Sequence, residues 1–548
     1  MARQGQLFAT SVPSWLIAGL VLALLVLAAT VPIGFKDTPE NDGWTVRNRL
    51  DQGGSIQQDA ADSSRAFYFW IWPIAGWLTP ETFVGHQVVL AILHWLRGLL
   101  AFLLMVALRP GHRRWALAVA CVTLFHPADT GYFWLGSLNT NAQNVTYLLA
   151  ALTLVVAIQR QRPWVAALSL VLLALALWSY EAYFLVLVIL PVFIVRSRLN
   201  SRLTTSVLIA WYALLTALAL HKLVILANEL GRSARVVDAS VLAALASLAL
   251  SQARLALLGF LEAFSTLPTA TTSQWVAVAG TFLLMAGAGR WLGDSATAPS
   301  ATPSALTWRQ LLLLGVLVSI LGFVPYAVSD LRWIQLRTSL VSAIGAAIVL
   351  ITLPERLPTS SARTAVIQWA LAAALTSLSL GGAVRLHQTA HFRVLDEQRI
   401  LANISARAPR FAPGTGIVLL FEDSTAELRA RGLARRHAIL TSALQFLYDD
   451  ASLVAFSLGE IDHPAFPFQV GPTGVSGVTT GGRTMVPYDQ LVVFSAAASG
   501  SVEIVERLPW PAAGAAAYRP LDRILSGSAM PERICLNLSP AVRPTACN

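Results

Sequence analysis

The sequence predicts an α-helical polytopic membrane protein with a C-terminal extracytoplasmic α/β domain, and three observations predict it. Of the 548 residues, 55% are hydrophobic and only 12% are charged, with mean hydropathy +0.61; a soluble domain carries about 25% charged residues. Apolar runs long enough to cross a hydrocarbon core of about 30 Å recur along the chain. The last part of the chain breaks this pattern and alternates strand-like and helix-like segments.

Taken in order, the spans fall near residues 14–34, 83–108, 114–126, 143–158, 164–178, 183–196, 204–226, 274–292, 309–328, 338–353 and 364–384, about eleven in all. The first run is about 20 residues long and no A-x-A-like cleavage site follows it, so it reads as a span and not as a removed signal. Arginines mark one set of connections: Arg3, Arg109, Arg113, Arg114, Arg160, Arg162, Arg196, Arg198, Arg202, Arg290, Arg309, Arg356 and Arg363. The opposite short loops, 127–142 and 179–182, have no Lys or Arg. The positive-inside rule then puts the N-terminus in the cytoplasm of an inner (plasma) membrane protein and everything after residue 384 outside. The net charge of +10 follows mostly from these arginines, which argues against nucleic-acid binding.

Two units result, a transmembrane domain over 1–384 and an extracytoplasmic domain over 385–548. In the first, an external loop over 35–82 carries an acidic stretch and then the aromatic-rich "AFYFWIWPIAGWL", which fits the headgroup level. Residues 227–262 form an external segment with apolar residues at helical spacing and charges between them, read as one or two helices lying on the membrane. "GDSATAPSATPSAL" is a cytoplasmic linker. In the tail, "GTGIVLLFED", "DQLVVFSA" and "SGSVEIVERL" read as strands and "AELRARGLARRHAILTSALQFLYDD" as a helix, while "GPTGVSGVTTGGR" reads as a loop, since it lacks P-loop and Rossmann spacing. Cys121 falls in a span. Cys535 and Cys547 lie in the tail, where an oxidising compartment would permit a disulfide.

Polar groups at the external side are the candidates for chemistry. "GFKDTPENDGW" follows the first span and carries Asp37, Glu40 and Asp42. Such a stretch is either a solvated loop or a source of a general base, and Asp42, beside Gly43 and Trp44, is the sharper candidate, with Asp37 second. "FHPADTGYFWLGSLNTNAQN" sets His126, Asp129 and Asn139 among aromatics such as Trp134; hydrogen-bonding groups with stacking faces suit a sugar, and the same residues suit helix caps. Glu181 lies between two spans with almost no loop, where an ionisable group marks function, partners a helix N-cap or pairs with one of the external arginines. Arg332 and Arg337 in "SDLRWIQLRTS" break the positive-inside pattern; a bound lipid phosphate, or pairing with Asp330 or with the loop 35–65, would compensate them. His86 and His94, eight apart on one helix face with Arg97 beyond them, read as packing groups, since no third metal ligand has a clear spacing.

In this order, "PIAGWLTPETFVGHQVVLAILHWLRGLLAFLLM", "LFHPADTGYFWLGSLNTNAQNVTYLLAALTL" and "SYEAYFLVLVILP" resemble the integral-membrane glycosyltransferases of the GT-C superfamily, and among them bacterial relatives of protein O-mannosyltransferases. The paired histidines, the His-Pro after the third span and the glutamate opening a later span carry the likeness over roughly residues 14–200. The resemblance implies a polyprenyl-phosphate-linked sugar as donor and an acceptor outside the membrane. It implies a base at Asp42 or Asp37 and a lipid-phosphate ligand at Arg332 or Arg337. It leaves a divalent metal open as a cofactor, required by only some relatives. The chain departs from the pattern at Asn41, where many relatives have a second acid, and at Tyr180, where a Lys is usual. A non-catalytic glycan- or lipid-binding or scaffold protein is the alternative of a different class. A transporter is a third, and it would call for two similar halves that the sequence lacks.

Overall fold

The structure, a computed structural model, describes residues 13–32, 34, 42–52, 67–131, 134–194, 201–229, 241–292, 306–327, 338–422, 433, 437–458, 468–479, 482–510 and 514–547. It is mostly helical, with a small sheet region at the C-terminal end. Among the described residues, the α-helices longer than one turn are α1 (Ser14–Thr30), α2 (Asp42–Asp51), α3 (Ile71–Leu78), α4 (Val84–Leu108), α5 (Arg113–Leu124), α6 (Leu138–Arg160), α7 (Pro163–Ser179), α8 (Phe184–Ile194), α9 (Arg202–Glu229), α10 (Val241–Ala253), α11 (Gly259–Ser265), α12 (Thr272–Trp291), α13 (Trp308–Leu321), α14 (Ser342–Thr352), α15 (Ser361–Arg407), α16 (His437–Tyr448) and α17 (Glu532–Asn537), and a single helical turn spans Val324–Ala327. Among the described residues, six helical stretches are long and apolar enough to cross a membrane: Val84–Leu108, Leu135–Arg160, Arg202–His221, Val241–Thr269, Trp308–Ala327 and Ser361–Arg407. Three shorter apolar helices, α1, α7 and α8, accompany them.

Local sequence explains several helix starts. Thr271 and Gln274 form a reciprocal capping box at α12, and Thr307 and Gln310 repeat it at α13, each satisfying two backbone donors that the first turn leaves open. Pro163 stands at the first turn of α7, where its missing N–H has no partner to lose.

Helix ends gather in two places. At one, the Leu306 N–H donates to the Leu108 carbonyl (3.1 Å), Gln159 Nε2 to Ala107 O (2.8 Å), Arg114 Nε to Leu292 O (2.7 Å), and Arg109 forks onto both oxygens of Glu355 (2.5 and 2.9 Å). At the other, the Phe67 N–H donates to Trp178 O (3.4 Å), Arg385 Nη1 to Thr266 O (3.0 Å), and Tyr326 Oη to Tyr180 Oη (3.0 Å). The stretch α10–α11, joined by a π turn over Arg254–Leu258, runs along this second end. Leu248 packs with Ala182, Phe323 and Tyr326; Leu255 packs with Ala128, Ala343 and Ala346; Ala263 faces Gly382. The partners of Leu248 and Leu255 lie at or just beyond helix ends, while Gly382 lies in the middle of α15, so the stretch passes over helix ends and reaches the flank of the long helix.

α13 and α14 cross at a pair of glycines. A Cβ on Gly345 would stand 2.3 Å from the Ser319 nitrogen and 2.4 Å from the Gly315 carbonyl oxygen. Small residues let helix backbones approach this closely. Gly345→Leu is therefore expected to push the two helices apart and to lower the thermal midpoint of the purified protein by several degrees; an unchanged midpoint would show that the contact can be spread without loss.

The tail has a sheet of order β2-β1-β6-β7, built from β1 (Gly416–Phe421), β2 (Val454–Leu458), β6 (Leu491–Ala496) and β7 (Val502–Ile504). β1 runs parallel to β2 and β6, and β7 is antiparallel. A second sheet holds β3 (Gln469–Val470), β4 (Gly474–Thr479) and β5 (Gly482–Pro487). The glycine-rich stretch read as a loop is thus corrected to a hairpin, with Val475 opposite Val486 and Val478 opposite Arg483. Its glycines serve close approach: a Cβ on Gly477 would meet the Phe456 ring at 2.7 Å, and one on Gly474 the Val486 carbonyl oxygen at 2.2 Å. The Cys535–Cys547 disulfide is formed.

α15 joins bundle and tail without a break. Its 47 residues extend about 70 Å. Its first half packs on α12 and α5, and its second half places Ile400, Leu401 and Ile404 in the core shared with the tail. The division at 384–385 therefore falls inside a helix: the sequence turns polar there, yet nothing in it stops helical hydrogen bonding.

Candidate functional site

The first candidate acid opens a helix. Asp42 is the first residue of α2, and its side chain lies outside the described residues. Asp37, Arg332 and Arg337 also lie outside them. α2 itself is firmly placed. Trp44 is buried edge-on against Phe83 (5.2 Å between ring centroids) and tilts against Phe446 of α16 (6.0 Å). Asn48 Nδ2 donates to Gln445 Oε1 at 2.6 Å, and Arg47 pairs with Asp51 at 3.1 Å and donates to the Pro80 carbonyl. Arg47 also reaches beneath α3, where a Cβ on Gly76 would collide with it and would lie 3.8 Å from the His86 ring. His86 sits between Trp72 (5.0 Å) and Phe83 (5.6 Å).

The next group is set by a short helix. α5 has 12 residues, about 18 Å, while its neighbour α4 has 25. The chain leaving α5 therefore lies beside the middle of α4, and Asp129 meets Arg97, thirteen residues into α4, at 2.5 Å with both side chains 0–1% exposed. Arg97 also donates to the Thr123 carbonyl (2.8 Å), and the second Asp129 oxygen accepts from the Gly131 N–H (3.0 Å). His126 is engaged on both ring nitrogens: Nδ1 accepts from the Ala128 N–H (3.2 Å) and Nε2 faces the Leu255 carbonyl (2.9 Å). Donation from Nε2 to that carbonyl completes a neutral ring that ties the chain after α5 to the π turn. Irregular backbone among membrane-type helices needs this kind of satisfaction.

Asp129 and His126, read from sequence as sugar-binding groups, are thus consumed by protein contacts. Asn139 is buried with its Oδ1 unpartnered among the described residues. The Trp134 carbonyl accepts from Ser137, and its ring covers Gly136, where a Cβ would collide with it. Glu181 opens a short 3-10 turn, and its side chain lies outside the described residues.

Tyrosines surround that turn, a feature missed in the sequence. Tyr183 stacks on Tyr147 (4.8 Å, 17° between planes), donates to the Thr140 carbonyl (3.3 Å) and lies within electrostatic reach of Arg97 and Asp129. Tyr180 approaches Tyr68 (6.0 Å) and Tyr326 (6.4 Å). The contacts form a chain: α2 packs on the turn Leu135–Ser137, Tyr183 reaches Thr140, and the Glu181 turn packs on Val324–Ala327, shortly before Arg332. The structure thus gathers the elements carrying Asp42, Trp134, Asn139 and Glu181 at one end of the bundle. The signal for the tyrosines was their recurrence at positions 68, 147, 180, 183 and 326, too scattered to be read without the fold.

Among the described residues, no group of three or more His, Cys, Asp or Glu side chains converges to hold a metal. No protein-family model and no curated protein matches this chain.

Proposed function

We propose that the chain is a GT-C-type glycosyltransferase of the inner membrane that moves a sugar from a polyprenyl-phosphate donor to an acceptor hydroxyl outside the cytoplasm. The observation that carries this reading is the gathering of α2, the turn Leu135–Ser137, the Glu181 turn and Val324–Ala327 at the end of the bundle opposite the one lined by Arg109, Arg114 and Glu355. The arginine-bearing end faces the cytoplasm in the positive-inside reading, which leaves the gathered elements and the tail outside. An eleven-crossing arrangement accounts for the two sets of helix ends, with α10–α11 lying in the outer interface. The formed disulfide fits an oxidising compartment.

In the reaction, the acceptor hydroxyl oxygen attacks the anomeric carbon of the donor sugar. Asp42, or Asp37 in its place, takes the hydroxyl proton as the new C–O bond forms. The bond between the anomeric carbon and the phosphate oxygen breaks, and the lipid phosphate leaves with the electron pair. Arg332 and Arg337 stabilise that charge. A lipid phosphate as leaving group accounts for a chain without a nucleotide motif.

The test is the purified chain in nanodiscs with polyprenyl-phosphate-linked, radiolabelled hexoses and an envelope extract as acceptor. Label is expected in the acceptor, with free polyprenyl phosphate released in equal amount. Release from none of the donors overturns the reading. The engagement of His126 and Asp129 by the protein favours one second reading, a non-catalytic glycan-binding protein, which would retain the donor without releasing lipid phosphate.

A further inference from the structure

We propose that Arg533 is a positioning residue: it fastens the helix that begins at Asp42 to the tail domain, and the Cys535–Cys547 bridge holds Arg533 in register. The part of this that concerns catalysis rests on the transferase reading above; the part that concerns the clamp does not.

Arg533 is the first basic residue of α17 and is 20% exposed. Its guanidinium meets three carboxylates from three separate parts of the chain. Nη1 reaches Asp51 Oδ2, at the end of α2, at 2.9 Å, and Asp449 Oδ1, just after α16, at 3.1 Å; Nε reaches Glu81 Oε2, just before α4, at 2.7 Å. Its face lies over the Phe446 ring at 5.1 Å. Burial works against the charge, but the hydrogen bond to Glu81 and the Asp51 and Asp449 carboxylates outweigh it, so the guanidinium is held above its already high pKa. A guanidinium spreads five donors over a rigid planar fork, whereas the three donors of a lysine radiate from one nitrogen. Asn537, one turn on, donates to the Glu81 carbonyl at 2.7 Å and repeats the attachment.

The consequence falls on α2. Its far end is tied through Asp51 to Arg533, and its middle through Trp44 and Asn48 to Phe446 and Gln445 of α16. The tail therefore supplies one wall of the seat in which α2 lies, and Asp42 is nine residues from the clamp on the same helix. Cys535 lies two residues from Arg533, and its bridge to Cys547 closes the C-terminal segment on itself. The Ser539 N–H donates to Gln398 of α15 at 2.8 Å, anchoring the same segment to the long helix. A displacement of about 1 Å at a reacting group lowers a rate by as much as about 100-fold. A clamp on the acid-bearing helix is thus a lever on turnover without touching substrate.

The test uses the full chain in nanodiscs and two readouts, hydrogen exchange and sugar transfer. In Arg533→Gln, the amides of residues 44–51 are expected to exchange about tenfold faster or more, while those of 84–108 and 491–496 stay protected. The kcat for transfer is expected to fall at least about tenfold with KM for the lipid donor within about twofold. Cys535→Ser with Cys547→Ser is expected to move both readouts in the same direction by less. If Arg533→Gln also strips protection from 491–496, the tail has come loose, and Asp51→Asn, on the other side of the same contact, carries the comparison instead. Unchanged exchange over 44–51 in the variant that keeps 491–496 protected overturns the clamp. Faster exchange there with unchanged kcat overturns the positioning role. Absence of transfer by the unsubstituted chain defeats the transferase reading alone, and the exchange arm still decides the clamp.

Discussion

Arg97→Leu is expected to leave little folded protein in the membrane. The substitution strands the Asp129 carboxylate at 1% exposure and removes the donor to the Thr123 carbonyl. Breaking a buried ion pair from one side costs about 3–5 kcal/mol, because the remaining charge has no partner. An ionisable group among apolar helices has still fewer alternatives. Asp129→Asn is also expected to destabilise, since it leaves the buried Arg97 guanidinium without its counter-charge, although the amide oxygen can still accept from Gly131. The double replacement Arg97→Leu with Asp129→Leu is expected to recover much of the loss, because two apolar groups leave no uncompensated charge. Size-exclusion profiles and thermal midpoints of the three variants in detergent check this. A single Arg97→Leu chain as stable as the parent would show that the Asp129 side chain finds another partner.

On the proposed transferase reading, Asp42→Asn is expected to abolish transfer while the protein folds normally. Loss of a general base lowers the rate by about 100- to 10,000-fold. Asn is as good as Asp near a helix start, so α2 should persist, and Trp44, Arg47 and Asn48 should keep their contacts. The fall should appear in kcat with little change in KM. Mass spectrometry of envelope glycans in a strain carrying the substitution gives the same answer in the cell. A full glycan profile from a normally expressed Asp42→Asn chain removes Asp42 from the mechanism, and Asp37→Asn is then the variant to measure.

Much of the helical architecture was legible because hydrophobic run length and arginine placement are one-dimensional properties. The ends of α4, α7 and α12 fall within a few residues of the runs read from sequence. Strands β1, β6 and β7 were legible for a similar reason: each is a compact β-branched or aromatic run beside a turn. The hairpin β4–β5 was not, because its glycines carry no β signal and earn their place only through Phe456 and Val486 on neighbouring strands. At the candidate site, Arg97 was visible as a charge inside an apolar run, but its partner thirty-two residues on was not, since the shortness of α5 is what brings Asp129 down to it. Nothing local marks Arg533, whose partners Asp51 and Glu81 are 482 and 452 residues away in sequence. Pairing at that separation is decided by the fold as a whole.

The unbroken α15 makes the angular setting of the tail a matter of residue counting. Each residue of a helix turns the chain by about 100° and advances it by about 1.5 Å. One residue inserted between His387 and Val394 would swing Gln398, Ile400 and Ile404 about a quarter turn around the shaft. Arg533 would then face away from Asp51 and Glu81. Seven inserted residues would nearly restore the phase but lift the tail about 10 Å off the bundle. The length of this shaft is thus held as tightly as the side chains it buries.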